Sequence, residues 1–192
     1  MTVKELCIKN RSYRRYDESK AISREMLEDF IDATRYNGST MNLQPLKFYI
    51  SCDKETNEKI FPLLKWAAKI KEWNGPEPGE RPAAYIVVCL DKTLGSSTER
   101  FASDVGIVSQ TITLCAMEKG IGCCMILNYS PAEVSKALDL PETMVPCIVI
   151  SLGTPAEEII LKDLENGENS DYYRDEQGKH YVPKRKLKDI IL

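Results

Sequence analysis

"AAYIVVCL", residues 83–90, is a continuous apolar run rich in β-branched residues. A strand with one wet face alternates apolar with polar, whereas a run without alternation marks a strand covered on both faces. A central strand is therefore expected here, and "PCIVISLG" (146–153) reads as a second of the same kind. Shorter strands are expected at "PLKFYISC" (45–52) and "CCMIL" (123–127). Two helices precede the first strand, helices separate the others, and a helix-poor tail follows. That order suggests a sheet sandwiched by helices rather than a simple run of βαβ units.

The helices announce themselves by their caps. Thr2 with Glu5 has capping-box spacing, and the helix it starts should run to about Asn10. Ser23 can cap a second helix whose Met26, Leu27, Phe30 and Ile31 share a face, with Ile22 stapled against Leu27 and an end near Asn37-Gly38. Residues 53–73 read as helical, with Asp53 as cap and Pro62 as a kink or break. From Arg100 to Lys119 one face carries Val105, Val108, Ile112 and Cys115, other faces are also apolar, and Gly120 ends the pattern, so a helix buried nearly all round is expected. "SPAE" (130–133) is a further start signal.

At 192 residues the chain is expected to form one domain, residues 1–192. With 43% hydrophobic and 29% charged residues it has ordinary globular composition, and no apolar run approaches the ~18 residues of a membrane span. The first residues hold no apolar stretch of the secretory kind, so a cytoplasmic location is expected. Seven cysteines, an odd number without a C-x-x-C pair, and a single histidine, His180, argue against a disulfide framework, a metal site or a hydrolytic triad. A net charge of −3 argues against coating nucleic acid.

Yet basic residues concentrate at both ends, in "NRSYRRYD" (10–17) and "GKHYVPKRKLKD" (178–189). The Walker and G-x-G-x-x-G phosphate cradles are absent. "RSYR" instead offers two guanidinium groups and Ser12 within four residues, a set that suits a phosphate monoester. "GSTMNLQP" (38–45) packs Ser39, Thr40, Asn42 and Gln44 into one loop, where they can satisfy the loop's own backbone or hydrogen-bond a flat heterocycle.

"RSYRRY", then "STMNLQP", then "GIGCCMI" after a long helix, and finally "VPKRKL", in this order over nearly the whole chain, resemble the FMN-dependent nitroreductase family. The resemblance implies an α+β fold, a nitroreductase-like three-layer α/β/α sandwich with a mainly antiparallel sheet flanked by helices. It also implies a homodimer with FMN at the interface and the C-terminal segment extended over the partner subunit. In such proteins Arg11 and Ser12 would stand near the flavin phosphate and Arg14 near the phosphate or the pyrimidine edge. Asn10 stands where many members have an arginine or lysine, so one phosphate contact is either missing or supplied by Arg15. Ser39, Thr40 and Asn42 would reach the flavin from the other subunit, with Gln44 supporting their loop. Met125, Ile126, Leu127 and Asn128 would lie along one face and the N5 edge of the ring. Lys184 and Arg185 would close the phosphate site, although strand alternation favours Lys184 with Lys186.

The implied activity is transfer of hydride from NADH or NADPH to FMN and then reduction of an electron-poor small molecule, a nitroaromatic or quinone, in a ping-pong cycle. No protein nucleophile is needed, because the cofactor carries the redox step. Trp66 and Trp73 can stack on an acceptor or pack a lid, and Lys71 is a candidate cation for the pyrimidine edge. Other readings are the same flavin fold with different redox chemistry, dehalogenation or flavin breakdown, and a non-catalytic flavin-binding protein.

Overall fold

The computed structural model describes residues 1–70 and 73–192. Its main sheet has four strands, β1 (Leu46–Ser51), β2 (Ala84–Asp91), β3 (Gly122–Ile126) and β4 (Met144–Gly153), in the order β1-β2-β4-β3 and antiparallel throughout. The two continuous apolar runs are the two inner strands, and every residue of β2 is buried. The pleat sends alternate β2 residues to opposite faces. Ile86 and Val88 join Leu27, Phe30, Val105, Val108 and Ile112 on one side, whereas Tyr85, Val87 and Cys89 join Ile60, Leu64, Trp66, Val134 and Leu138 on the other. These two cores make the three layers of an α+β fold.

β4 carries a proline inside a buried strand, where a missing N–H would normally be costly. The structure resolves this with a bulge. Val88 pairs with Ile148 and Cys89 with Pro146, so Cys147 is the extra, unpaired residue.

The helices are α1 (Val3–Lys9), α2 (Arg24–Asp32), α3 (Lys54–Ile60), α4 (Ala102–Glu118) and α5 (Pro131–Ala137). The expected caps are in place: Thr2 and Glu5 form the capping box, while the Ser23, Asp53 and Ser130 side chains accept from the N–H groups of Met26, Thr56 and Glu133. Gly120 closes α4 with φ +78°, a conformation glycine takes without strain. α4 buries Val105, Val108, Ile112, Ala116 and Met117 but leaves Ile107 44% exposed, so it is not covered all round.

Two further stretches depart from expectation, the helix over 53–73 and the polar tail beyond Gly153, which has too few apolar residues to bury much against itself and is expected to wrap over something. The helix over 53–73 stops after Ile60, passes through one 3-10 turn at Phe61–Leu63 and does not resume over 64–70. Pro62 cannot continue the α-helical hydrogen bonding, and the Lys65 N–H is drawn instead to the Asn128 carbonyl at 2.9 Å. Lys71 lies outside the described residues. The polar tail, for its part, folds on itself. β5 (Ile159–Leu164), β6 (Tyr173–Arg174) and β7 (His180–Arg185) form a second sheet in the order β5-β7-β6, with β5 parallel to β7. Backbone pairing supplies the order that apolar burial could not, helped by buried Leu164 and His180 and by Tyr173 stacked on Tyr181 at 5.1 Å.

The N-terminal arginine segment is laid along the outer edge of β3. Ser12 bridges to Cys123, the Tyr13 N–H donates to the Cys123 carbonyl at 2.9 Å, and Tyr16 bridges to Pro155. Tyr16 is fully buried, and its hydroxyl lies 2.5 Å from the Tyr13 carbonyl and 2.9 Å from Ser151 Oγ. Gly153 leaves room for it: a Cβ there would stand 2.6 Å from the Tyr16 ring and 2.8 Å from its Cβ. Gly153→Ala is therefore expected to destabilise the fold by about 1–3 kcal/mol, the usual cost of overpacking, read as a lower urea midpoint.

Candidate functional site

The segment clamped to β3, the face of α4 and strand β7 enclose a cleft of about 360 Å³. Arg11, Ser12, Arg14, Met125 and Lys184 all line it, so two ends of the chain more than 160 residues apart meet in one place. Gln110 and Thr113 from α4 and Tyr172, His180 and Val182 from the tail complete the wall. A second cleft of about 210 Å³ shares Arg14 and Met125 with the first and is lined by Ile126, Leu127, Asn128 and Trp66.

The cations of the first cleft are poorly compensated. Arg11 donates to the Cys7 carbonyl at the end of α1, and its Nε is buried without a partner among the described residues. Arg14 donates to the Ser12 carbonyl at 3.2 Å and lies over the Tyr172 ring at 4.9 Å. Lys184 is exposed and makes no ion pair among the described residues. Asn10, in contrast, is occupied by Thr113 Oγ1 at 2.9 Å.

Three other basic residues of these segments do not line the cleft. Arg15 turns away from the cleft to Glu80, 3.2 Å from its Nε, because successive residues of an extended segment point to opposite sides. The same alternation along β7 puts His180, Val182 and Lys184 in the cleft and leaves Arg185 out of its lining. Lys186 is spent on Glu165, 2.6 Å away.

The backbone of the arginine segment hangs on Glu157. One carboxylate oxygen accepts from the N–H groups of Arg14 at 2.5 Å and Arg15 at 3.2 Å, and the other takes Arg174 at 2.9 Å. The Glu157 and Arg174 side chains are 2% and 8% exposed, so this pair is buried. Arg174 also lies 4.2 Å over the ring of Trp73, which makes Trp73 a packing residue, while Trp66 is buried against Phe61 and reaches the edge of the second cleft.

Ser39, Thr40, Asn42 and Gln44 do not line the first cleft. They form a separate loop governed by Asp104 in the first turn of α4, 3% exposed. Asp104 accepts from Ser39 Oγ at 2.6 Å, Thr40 Oγ1 at 2.6 Å and the Thr40 N–H at 3.0 Å. Burial pushes its carboxyl up, but the hydrogen bonds from Ser39 and Thr40 outweigh that and hold it below the usual range. Gln44 donates to Asn42, while Met41, Asn42 and Gln44 sit at φ 53°, 54° and 49°, a left-handed path that turns Met41 and Asn42 outward. Asp104→Ala leaves three donors without their acceptor and is expected to cost roughly 2–3 kcal/mol, seen as a lower denaturation midpoint with Asp104→Asn intermediate.

All seven cysteines are free thiols. Burial pushes Cys89 up to about 12 and Cys123 higher, so neither is a nucleophile at neutral pH. Among the described residues no His, Cys, Asp or Glu cluster is placed to hold a metal ion, and no helix is long and apolar enough to cross a membrane.

Sequence reading missed Asp104, Glu157 and the tail residues Tyr172 and His180. Only His180, as the single histidine, carried any signal.

Residues 8–154 match the sequence profile described as the Nitroreductase family. A protein of Methanothermobacter thermautotrophicus, provisionally named an NADH dehydrogenase/NAD(P)H nitroreductase, is 30% identical over 85% of this chain and 83% of its own length. A crystal structure of a similarly named protein from Parabacteroides distasonis superimposes with a TM-score of 0.67, covering 86% of this chain and 92% of that one at 24% identity. The fold is also that of a protein from Exiguobacterium sibiricum, provisionally named a nitroreductase and solved in complex with FMN, with a TM-score of 0.69 over 82% of this chain and 90% of that one at 19% identity. With its profile match across most of the chain and its antiparallel sandwich in common with these structures, this oxidoreductase belongs to the nitroreductase family.

Proposed function

We propose that residues 1–192 form one FMN-binding domain that acts as a homodimer and uses NADH or NADPH to reduce an electron-poor small molecule. The observation that carries this reading is the convergence of Arg11, Ser12, Arg14 and Lys184 in one cleft. Three cations and a hydroxyl fit a phosphate monoester, and the unpartnered Nε of Arg11 is a donor in reserve for it. Beside them, Met125 and the Ile126–Asn128 stretch with Trp66 give a largely apolar wall suited to a flat ring.

When bound, FMN would supply the redox chemistry, taking hydride from NAD(P)H and passing electrons to a nitroaromatic, quinone or similar acceptor in alternate half-reactions. The chain's own part is binding and orientation. Arg11, Ser12 and Lys184 hold the phosphate. Arg14 sets a positive charge beside the ring, which favours added negative charge there. Residues 125–128 would line one face of the ring.

Support for the dimer comes from surfaces that one chain leaves bare. The outward-turned loop with Met41 72% exposed, Ile107 on α4 at 44% and Leu127 at 72% are apolar groups without cover, and a partner's Asn42 loop would complete the ring site. Residues 187–192 are exposed and free of this chain's sheets, as a segment lying over a partner would be.

The test is anaerobic addition of NADH or NADPH to FMN-loaded protein, then of a nitroaromatic or quinone. The reading expects the visible flavin band to bleach and then return. Bound flavin that neither dinucleotide bleaches would favour the non-catalytic alternative.

A further inference from the structure

His180 is the chain's single histidine, and the fold buries it to 1% exposure in the wall of the phosphate-side cleft. Its Nδ1 is buried with no hydrogen-bond partner among the described residues. Buried polar nitrogens of this kind are normally satisfied, so an unpartnered one in a cleft wall points to a partner that binds there.

The surroundings do not supply that partner. The Tyr172 ring lies 5.4 Å away at a 36° tilt, and its hydroxyl accepts from the Lys69 N–H at 3.4 Å. Glu157 is already engaged by the Arg14 and Arg15 N–H groups and by Arg174. Burial holds the imidazole pKa down at about 4, Glu157 pulls it up, and Arg14 and Arg174 push it down again. The ring is therefore neutral near pH 7, with one donor and one acceptor nitrogen.

Position along the strand decides what the ring can meet. His180, Val182 and Lys184 form one row on the cleft face of β7. At the usual strand rise, His180 and Lys184 are separated by roughly 13 Å. With Lys184, Arg11 and Ser12 assigned to the phosphate, His180 falls toward the opposite end of the row. A neutral imidazole also suits an uncharged polar group better than a dianion that cations already serve.

We infer that His180 is a ligand-binding residue that hydrogen-bonds the riboflavin portion of FMN, at a ribityl hydroxyl or a polar ring atom, and not its phosphate. This rests on the FMN reading of the cleft given above.

Because the chain has one histidine, 15N-histidine labelling gives an unambiguous imidazole signal. Titration of the full-length protein with riboflavin or with FMN is expected to shift it, while inorganic phosphate alone leaves it in place. Independently, His180→Phe is expected to raise the Kd of both flavins about tenfold, with His180→Gln staying within about threefold. Quenching of flavin fluorescence with an unmoved imidazole signal overturns the role of His180 while leaving the cofactor reading intact. A shift produced equally by phosphate alone overturns the riboflavin assignment. Failure of the wild-type chain to quench FMN at all overturns the cofactor reading, and the role of His180 with it.

Discussion

Exchanging Arg11 and Lys184 together for glutamine is expected to weaken FMN binding by at least about 100-fold while leaving riboflavin within about threefold. A charge-assisted hydrogen bond is worth about 1.5–3 kcal/mol, and every ~1.4 kcal/mol is tenfold in affinity. Removing two such hydrogen bonds at once therefore lowers affinity by more than two orders of magnitude. The fold should survive, since Lys184 is exposed and Arg11 makes one local bond, to the Cys7 carbonyl. Riboflavin, which lacks the phosphate, is the internal control. Fluorescence titration of both flavins reads the result, and an equal loss for both would show that the pair does not serve the phosphate.

The second large effect is structural. Glu157→Ala is expected to destabilise the protein by about 3–5 kcal/mol, because breaking a buried ion pair leaves its partner charged and unpaired. Arg174, 8% exposed at its side chain, would be that orphan. The Arg14 and Arg15 N–H groups would lose their acceptor as well, loosening the segment that presents Arg14 to the cleft. Replacing both partners by leucine is expected to recover much of the loss, since an apolar pair needs no charge compensation. Urea denaturation measures all three proteins. A Glu157→Ala chain within about 1 kcal/mol of wild type would mean that water satisfies these groups and that the clamp contributes little.

Local signals in the sequence were dependable where one element determines them. The unbroken apolar runs at 83–90 and 146–153 became the two strands covered on both faces, and the caps at Thr2, Ser23, Asp53 and Ser130 formed as their spacing implied. Failures arose where a distant group won. Residues 64–70 have helical composition, yet the Asn128 carbonyl takes the Lys65 N–H. The tail has too few apolar residues to bury much against itself, but parallel pairing of β5 with β7 needs backbone rather than apolar surface.

At the candidate site the same division holds. Arg11, Ser12 and Arg14 are legible as two guanidinium groups and a hydroxyl within four residues, Lys184 enters through the family resemblance, and the fold brings the four together. Arg15 and Arg185 rest on the family resemblance alone; in the structure Arg15 meets Glu80 and neither residue lines the cleft, because neighbours along an extended segment take opposite faces. Asp104 and Glu157 act through contacts 64 and 143 residues away, to Thr40 and Arg14, and no periodicity records a partner at that distance.

The most direct test is to load the purified chain with FMN, remove the excess by gel filtration, and record the visible spectrum and mass of the eluted protein. One FMN per chain eluting with a dimer is the predicted result. Protein that elutes colourless after loading would contradict the account and leave Arg11, Arg14 and Lys184 gathered around some other anion.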